Sequence, residues 1–291
     1  MKGMLADRWK PRLALGLSLI LSGSLCSGPA WAKDPFRSGS QARPMTAELE
    51  GAFREVFCFG RYTSTRSRLE AAIQGSPDEP LAYALLSALA FQEGKLDEYA
   101  QLAQQTREVG SRLKSQDPVR GNLYEGIGQG MEAAYGVVKE GVVIGLPKAL
   151  PLLNQMFTSL RAAQAADAND PEVNLFVGYI DLLLTNREKA LAQFQKASPI
   201  YMALRGQSLT YRDMGNFAMA LSTAEQALQT GCDNPELHYL KAQALVGLQR
   251  DADAVTSFDR ALALGSQLPQ DLLTQIQRER DGAQARLTGT P

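Results

Sequence analysis

Few side chains in this chain of 291 residues are of the types that catalyse reactions or hold metals. His238 is the single histidine, and the cysteines are Cys26, Cys58 and Cys232. A zinc site needs a set of converging ligands, and a Cys–His nucleophile needs a third group that orients the base. The sequence supplies neither, so we expect His238 to be a packed structural residue and predict no metal site.

Other motifs that resemble chemistry have simpler explanations. The spacing Gly126-x-Gly128-x-Gly130 lies in a helical pattern, whereas a dinucleotide-binding loop follows a strand. Paired carboxylates such as Asp97–Glu98 and Asp251–Asp253 stand where helices begin, and there they stabilise the helix N-terminus. The sequence therefore predicts no catalysis and no cofactor.

The N-terminus has the pattern of a secretory signal. A basic segment precedes the apolar run Leu13–Leu25, and Ala30-Trp31-Ala32 provides small residues for cleavage. We expect residues 1–32 to be removed after Ala32 and the protein to be exported to the periplasm or an equivalent lumen. A retained anchor is one alternative, and a lipoprotein modified at Cys26 is another, although Leu25 is larger than the residue such signals prefer.

Without residues 1–32 the chain carries 26 Lys and Arg against 30 Asp and Glu, a net charge of −4. Binding to a phosphate backbone requires a basic excess, so a nucleic-acid partner is not expected. No membrane span is predicted in this mature part. Residues 33–45 contain Pro35, Gly39 and Pro44 among polar residues, and this composition predicts a flexible leader.

An exported protein can form a disulfide between Cys58 and Cys232. Such a bond requires Cα atoms within about 7 Å. The two cysteines belong to units that are far apart along the chain, so the sequence favours two thiols, buried or half-buried, over a disulfide.

A period of 34 residues runs through the chain from Thr46 onward. Gly60 recurs as Gly94, and Ala220 recurs as Ala254. Apolar residues stand at three- and four-residue spacing between regular Pro and Gly breaks, and no segment alternates as a strand does. A fixed period of this length indicates stacked helical units that share one core.

The clearest unit begins at Pro235 and reads His238-x2-Lys241-Ala242-x2-Leu245, then Ala254-x3-Phe258. This resembles the tetratricopeptide repeat, a 34-residue helix–turn–helix with small residues between its helices. The resemblance implies an all-α, right-handed superhelical solenoid with a C-terminal capping helix, about thirteen helices in all. The predicted organisation is a leader at 33–45, two degenerate units at 46–113, an enlarged pair at 114–170, three units at 171–268 and a cap at 269–291.

The enlarged pair departs from the repeat. Leu123, Ile127, Met131, Ala134 and Val138 form one face of a helix, and a second helix is predicted from Pro147 to Ala166. The glycine-rich apolar stretch 141–147 lies between them as an insertion. It can act as a lid, as a dimer contact or as a packed crossover.

In the family that this chain resembles, the first helices of successive units line a concave groove that holds a peptide or a partner helix. The resemblance therefore implies an exported scaffold with a protein or peptide partner. The alternative is a small-molecule or lipid-binding solenoid with residues 141–147 as its lid. The positions expected to face the groove are Arg54, Phe57, Ala88, Phe91, Tyr179, Leu182, Arg205, Arg212, Tyr239 and Gln243.

Overall fold

A computed structural model describes residues 33–289, and the predicted signal peptide lies outside this part of the chain. Twelve α-helices account for most of the described residues, which contain no β-strand. The fifth is bent into two arms, so the described residues contain thirteen α-helical segments, as expected, beside two short 3-10 helices. The helices are α1 Ala47–Phe59, α2 Arg66–Gly75, α3 Pro80–Gln92, α4 Leu96–Leu113, α5 Pro118–Ala166, α6 Pro171–Leu183, α7 Arg187–Phe194, α8 Ile200–Asp213, α9 Phe217–Gln229, α10 Pro235–Gly247, α11 Asp251–Leu264 and α12 Gln270–Thr288.

The helices pack as a solenoid, and the predicted all-α architecture is confirmed. Each helix packs against the next one along the chain, and α8 also contacts α6 and α10. Within the unit formed by α10 and α11, the side chains of Ala242, Ala254, Phe258 and Ala261 are fully buried. The small residues allow the helices to approach, and Phe258 fills the space between units.

Helix α5 forms a hairpin, and this differs from the predicted insertion. The backbone leaves helical geometry at one residue, Gly141, whose φ of 76° favours glycine. The second arm begins directly after it, so 141–147 forms a tight bend and the start of a helix. The arms touch at Gly145, where an added Cβ would lie 2.5 Å from the carbonyl oxygen of Gly136.

Residues 33–45 pack against the solenoid, and the expectation of a flexible leader is wrong. Phe36 is buried and meets the ring of Phe53 edge-on, with 5.2 Å between ring centroids. Asp34 accepts hydrogen bonds from the backbone N–H groups of Phe36 and Arg43. Pro and Gly made this segment look mobile, but contacts with helices distant in sequence hold it in place.

A disulfide joins Cys58 at the end of α1 to Cys232 before α10, with their Cα atoms 4.5 Å apart. The expectation of two free thiols is therefore wrong. It assumed that stacked units keep distant residues apart, whereas this solenoid curves until its first unit meets its last ones. Asn234 also donates a hydrogen bond to the carbonyl oxygen of Phe57, and Thr63 contacts Gln267.

Helix α12 covers the last unit. Its apolar side consists of Ile276 and Ala283, which are fully buried against the neighbouring helices. Its outer side is charged, and Arg286 pairs with Asp251 of α11 at 2.6 Å. A solenoid requires such a polar cap because its final unit otherwise exposes an apolar face.

Candidate partner-binding groove

The first helices of successive units, α1, α3, α6 and α8 with the first arm of α5, line most of a groove, and residues of α4, of the second arm of α5 and of α10 also contribute to it. Three adjoining cavities make up this groove. Cavity A has a volume of about 470 Å³ and is lined by Tyr99, Ile127, Gly130, Met131, Ala133, Ala134, Val137, Val138, Ala149, Leu153, Met156, Phe176, Ile180 and Leu183.

Cavity B has a volume of about 350 Å³ and shares Ile127, Met131 and Phe176 with cavity A. Its other wall residues are Phe36, Phe53, Phe57, Leu81, Ala84, Leu85, Ala88, Leu123, Tyr124, Glu172, Leu175, Tyr179, Met202 and Arg205. Cavity C, about 220 Å³, adjoins cavity B and is lined by Val56, Phe57, Tyr62, Thr65, Leu85, Ala88, Leu89, Gln92, Arg205 and Glu236.

The structure brings together four of the residues that the sequence places in the groove. Phe57, Ala88, Tyr179 and Arg205 all line cavity B, although they come from four different helices. Arg205 is not a free cation, since its Nη2 donates to Glu236 at 2.9 Å and its Nη1 lies 3.4 Å from the hydroxyl of Tyr179. Its Nε is buried and has no hydrogen-bond acceptor.

A second set of predicted groove residues lies elsewhere and binds the cap. Tyr239 donates a hydrogen bond to Glu279 of α12 at 2.6 Å, and Gln243 donates to the same carboxylate. Arg212 in turn donates to Gln243 and to Asp213. These three residues line none of the three cavities, and their contacts hold α12 against the last unit.

The three remaining predicted residues do not line a cavity either. Arg54 is exposed on α1. The ring of Phe91 is partly exposed and packs on Tyr99, with 5.2 Å between centroids. Leu182 is half-buried against the main core.

Residues 205–269 match the family model for the tetratricopeptide repeat. The chain contains tetratricopeptide repeats. The match covers the units formed by α8 to α11. No curated protein sequence matches this chain.

Several solved structures resemble this repeat chain. Yeast Tom70 is 15% identical, with 83% of this chain and 47% of that chain covered and a TM-score of 0.46, so this chain spans about half the length of Tom70. TTC0263, a tetratricopeptide-repeat protein of Thermus thermophilus, is 17% identical, with 81% and 96% covered and a TM-score of 0.32. The TPR2AB domain of yeast Sti1, in a complex with pHSP90, is 10% identical, with 81% and 97% covered and a TM-score of 0.37.

Sequence reasoning missed much of the groove in this repeat protein. The residues Phe36 and Phe53 line cavity B, but the first belongs to the supposed leader. The spacing of apolar residues in α5 does indicate part of the groove. Ile127, Met131 and Val138 belong to the helix face that the sequence predicts, and they line cavity A. The sequence predicts the helix face but gives no indication that part of it borders a cavity.

A buried network of charges lies beside cavity B, which two of its members, Tyr124 and Glu172, line. Arg120 pairs with Glu79 at 2.6 Å and with Glu172 at 3.2 Å, and Arg37 pairs with Glu172 at 2.8 Å. The hydroxyl of Tyr124 donates to Glu172. Arg37 also reaches Asp170, the residue that caps the N-terminus of α6.

The charges in this network support each other's ionised forms. Burial by itself would raise the pKa of Glu172, but the positive charges of Arg120 and Arg37 outweigh it and hold that pKa below its usual value. At the rim of cavity A, burial raises the pKa of Tyr99 to about 12. Tyr99 therefore stays neutral at neutral pH, and it donates a hydrogen bond to the carbonyl oxygen of Met131.

The residues considered for catalysis have structural contacts. His238 bonds to Asp233 through Nε2 at 2.7 Å, while Cys232 is held in the disulfide. Within residues 33–289, no group of three or more His, Cys, Asp or Glu side chains is arranged to hold a metal ion. In the same range, no helix has the length and apolarity needed to cross a membrane.

Proposed function

We propose that this protein is an exported tetratricopeptide-repeat scaffold that binds a protein or peptide partner through its concave face and performs no catalysis. The observation that carries this proposal is the groove itself, because side chains from the first helices of five successive units meet in cavity B. Binding sites of this kind form where repeats stack side by side. The apolar walls of the groove favour a partner that contributes apolar anchors.

Export is part of the proposal. A disulfide persists in an oxidising compartment and is rare in the cytosol, so the Cys58–Cys232 bond supports an exported protein. We expect the N-terminal sequence of the protein from its own cell to begin at Lys33. A membrane-bound form that begins at Met1 would support a retained anchor instead.

Photocrosslinking in the native cell tests the partner. Ala88 is exposed and lines cavities B and C, so a photoreactive residue placed there should capture the partner. Gln104 is exposed on α4 outside the groove and provides the matched control. Crosslinks from Gln104 that equal those from Ala88, or no crosslink from Ala88, would contradict binding through the groove.

A second function, the binding of a small molecule or lipid, is favoured by one observation. Tyr99 carries the only hydroxyl in the side-chain lining of cavity A, and every other side chain there is apolar or absent. The predicted lid does not contribute, since none of residues 141–147 lines the three cavities; Val137, Val138 and Ala149 beside it do. Native mass spectrometry of the purified protein would detect a ligand that co-purifies.

A further inference from the structure

Cavities A, B and C adjoin one another in that order, and their walls contain more polar side chains toward cavity C. Cavities A and B have Ile127, Met131 and Phe176 in common, so a ligand passing from one to the other contacts only apolar side chains at the junction. Cavities B and C share Phe57, Leu85, Ala88 and Arg205. The three volumes together slightly exceed the upper end of the range of about 300–1,000 Å³ that is usual for small-molecule sites.

The apolar end of this path opens to solvent. Val138 and Leu183 line cavity A, and their side chains are 48% and 77% exposed. The aliphatic surface continues beyond them on the bend of α5, where Val142, Val143 and Ile144 are exposed. Exposed apolar residues beside a cavity are typical of ligand-binding grooves and interaction surfaces.

The other end of the path is polar and electrically balanced. In cavity C, the guanidinium of Arg205 faces Glu236, and Gln92 and Tyr62 line the same space. The Nε of Arg205 lacks an acceptor, and the guanidinium therefore retains hydrogen-bonding capacity. Because Glu236 already neutralises Arg205, an added carboxylate would meet a negative charge there.

The middle of the path offers almost nothing to a peptide backbone. The polar side chains in cavity B besides Arg205 and Tyr179 are Glu172 and Tyr124, which bond to each other. Tyr179 already donates to the carbonyl oxygen of Met202. An extended backbone buried here would leave its N–H and C=O groups without partners, and each such group is costly. A protein partner can therefore place only apolar side chains in cavity B, whereas an aliphatic chain fills it without that cost.

We infer that the groove binds a neutral amphiphile with one long aliphatic chain and a head group that carries at least one hydroxyl. The head group lies in cavity C, where it accepts from Arg205 and donates to Glu236. The aliphatic chain of the ligand runs through cavity B into cavity A, toward Val138 and Leu183. This inference rests on the second function proposed above, ligand binding in the groove, and gives the chemistry of that ligand.

Native mass spectrometry of the disulfide-bonded protein with 1-monopalmitoylglycerol tests the inference. One molecule should bind per chain, and palmitate at pH 8 should bind at least about tenfold more weakly because its carboxylate faces Glu236. Tryptophan at either of two exposed alanines in the walls, Ala88→Trp or Ala134→Trp, should reduce affinity at least about tenfold by occupying the path. Ala252→Trp, on the outer side of α11, is the matched control and should stay within about twofold.

Thermal unfolding of each variant shows whether it is folded, and Arg205→Gln provides a test that adds no bulk. It should also weaken 1-monopalmitoylglycerol binding. No binding by the wild type, binding unaffected by both groove tryptophans, or tighter binding of palmitate would overturn the inference. If 1-monopalmitoylglycerol fails to bind while Ala88 crosslinks a protein, the inference is overturned and the scaffold function stands. If 1-monopalmitoylglycerol binds and Ala88 crosslinks no protein, the inference stands and the scaffold function is contradicted.

Discussion

At the scale of single residues, Arg120 is a buried cation with two carboxylate partners. It is buried between Glu79 and Glu172, and its removal leaves Glu79 without its cation and takes one of two close cations from Glu172. We expect Arg120→Met to lower the free energy of unfolding by about 3–5 kcal/mol, the usual cost of breaking a buried pair. Urea unfolding at pH 7 measures it. Arg161→Met, at an exposed arginine, should change the value by less than about 0.5 kcal/mol, and equal effects would contradict this role.

Glu172 should make stability depend on pH. Its pKa is lowered in the folded state, so its contribution is present above the unfolded pKa of about 4.3 and is lost as the pH falls through the folded value. In Glu172→Gln, urea midpoints should be lower at pH 7 and should fall less between pH 4.5 and pH 3 than in the wild type. An unchanged slope in the variant would assign the acid sensitivity to other carboxylates.

At the scale of helices, the repeat core depends on one large and one small position. Phe258 and Ala254 are fully buried between α10 and α11. We expect Phe258→Ala to cost about 3–5 kcal/mol through the cavity it leaves, and Ala254→Leu about 1–3 kcal/mol through overpacking. Denaturant unfolding measures both. If both variants unfold at nearly the same denaturant concentration as the wild type, the assigned repeat register is wrong.

The hairpin of α5 depends on the close approach of its arms. A Cβ at Gly145 would lie 2.5 Å from the carbonyl oxygen of Gly136, whereas a Cβ at Gly136 would meet nothing within 4 Å. Gly145→Ala should therefore destabilise the protein by about 1–3 kcal/mol, by overpacking. Gly136→Ala should be neutral or stabilise it by up to about 1 kcal/mol. Denaturant unfolding should give a lower midpoint for Gly145→Ala than for Gly136→Ala. The reverse order would contradict the close approach of the two arms at Gly145.

The helices were predictable because their signals are local. Ala254 and Phe258 repeat the spacing of Ala220 and Ala224, and Pro235 with Asn234 indicates the start of α10. The contact of Arg37 with Asp170 was not predictable, since 133 residues separate the two. It depends on the curvature of the whole solenoid, which accumulates from small rotations between units. The sequence predicts only part of the lining of cavity B. Tyr179 and Arg205 lie within the repeat units, whereas Phe36 lies before the first unit.

At the scale of the whole molecule, the disulfide closes the solenoid. It links residues 174 positions apart, so its loss allows the unfolded chain far more conformations. We expect Cys58→Ser with Cys232→Ser to lower the free energy of unfolding by about 2–5 kcal/mol. Urea unfolding with and without dithiothreitol measures the effect. Reduction should destabilise the wild type and leave the double variant unchanged; sensitivity of the double variant would point to another cause.

The same bond determines how the protein transmits tension. If a partner or an attached chain pulls on the two ends, the force runs from Cys58 directly to Cys232 through the sulfur atoms. Residues 59–231 lie in the loop that this covalent path bypasses. Most of the groove walls belong to that loop, together with the α5 hairpin and the units from α2 to α9. The disulfide therefore transmits tension between the two ends without stretching the backbone of this loop.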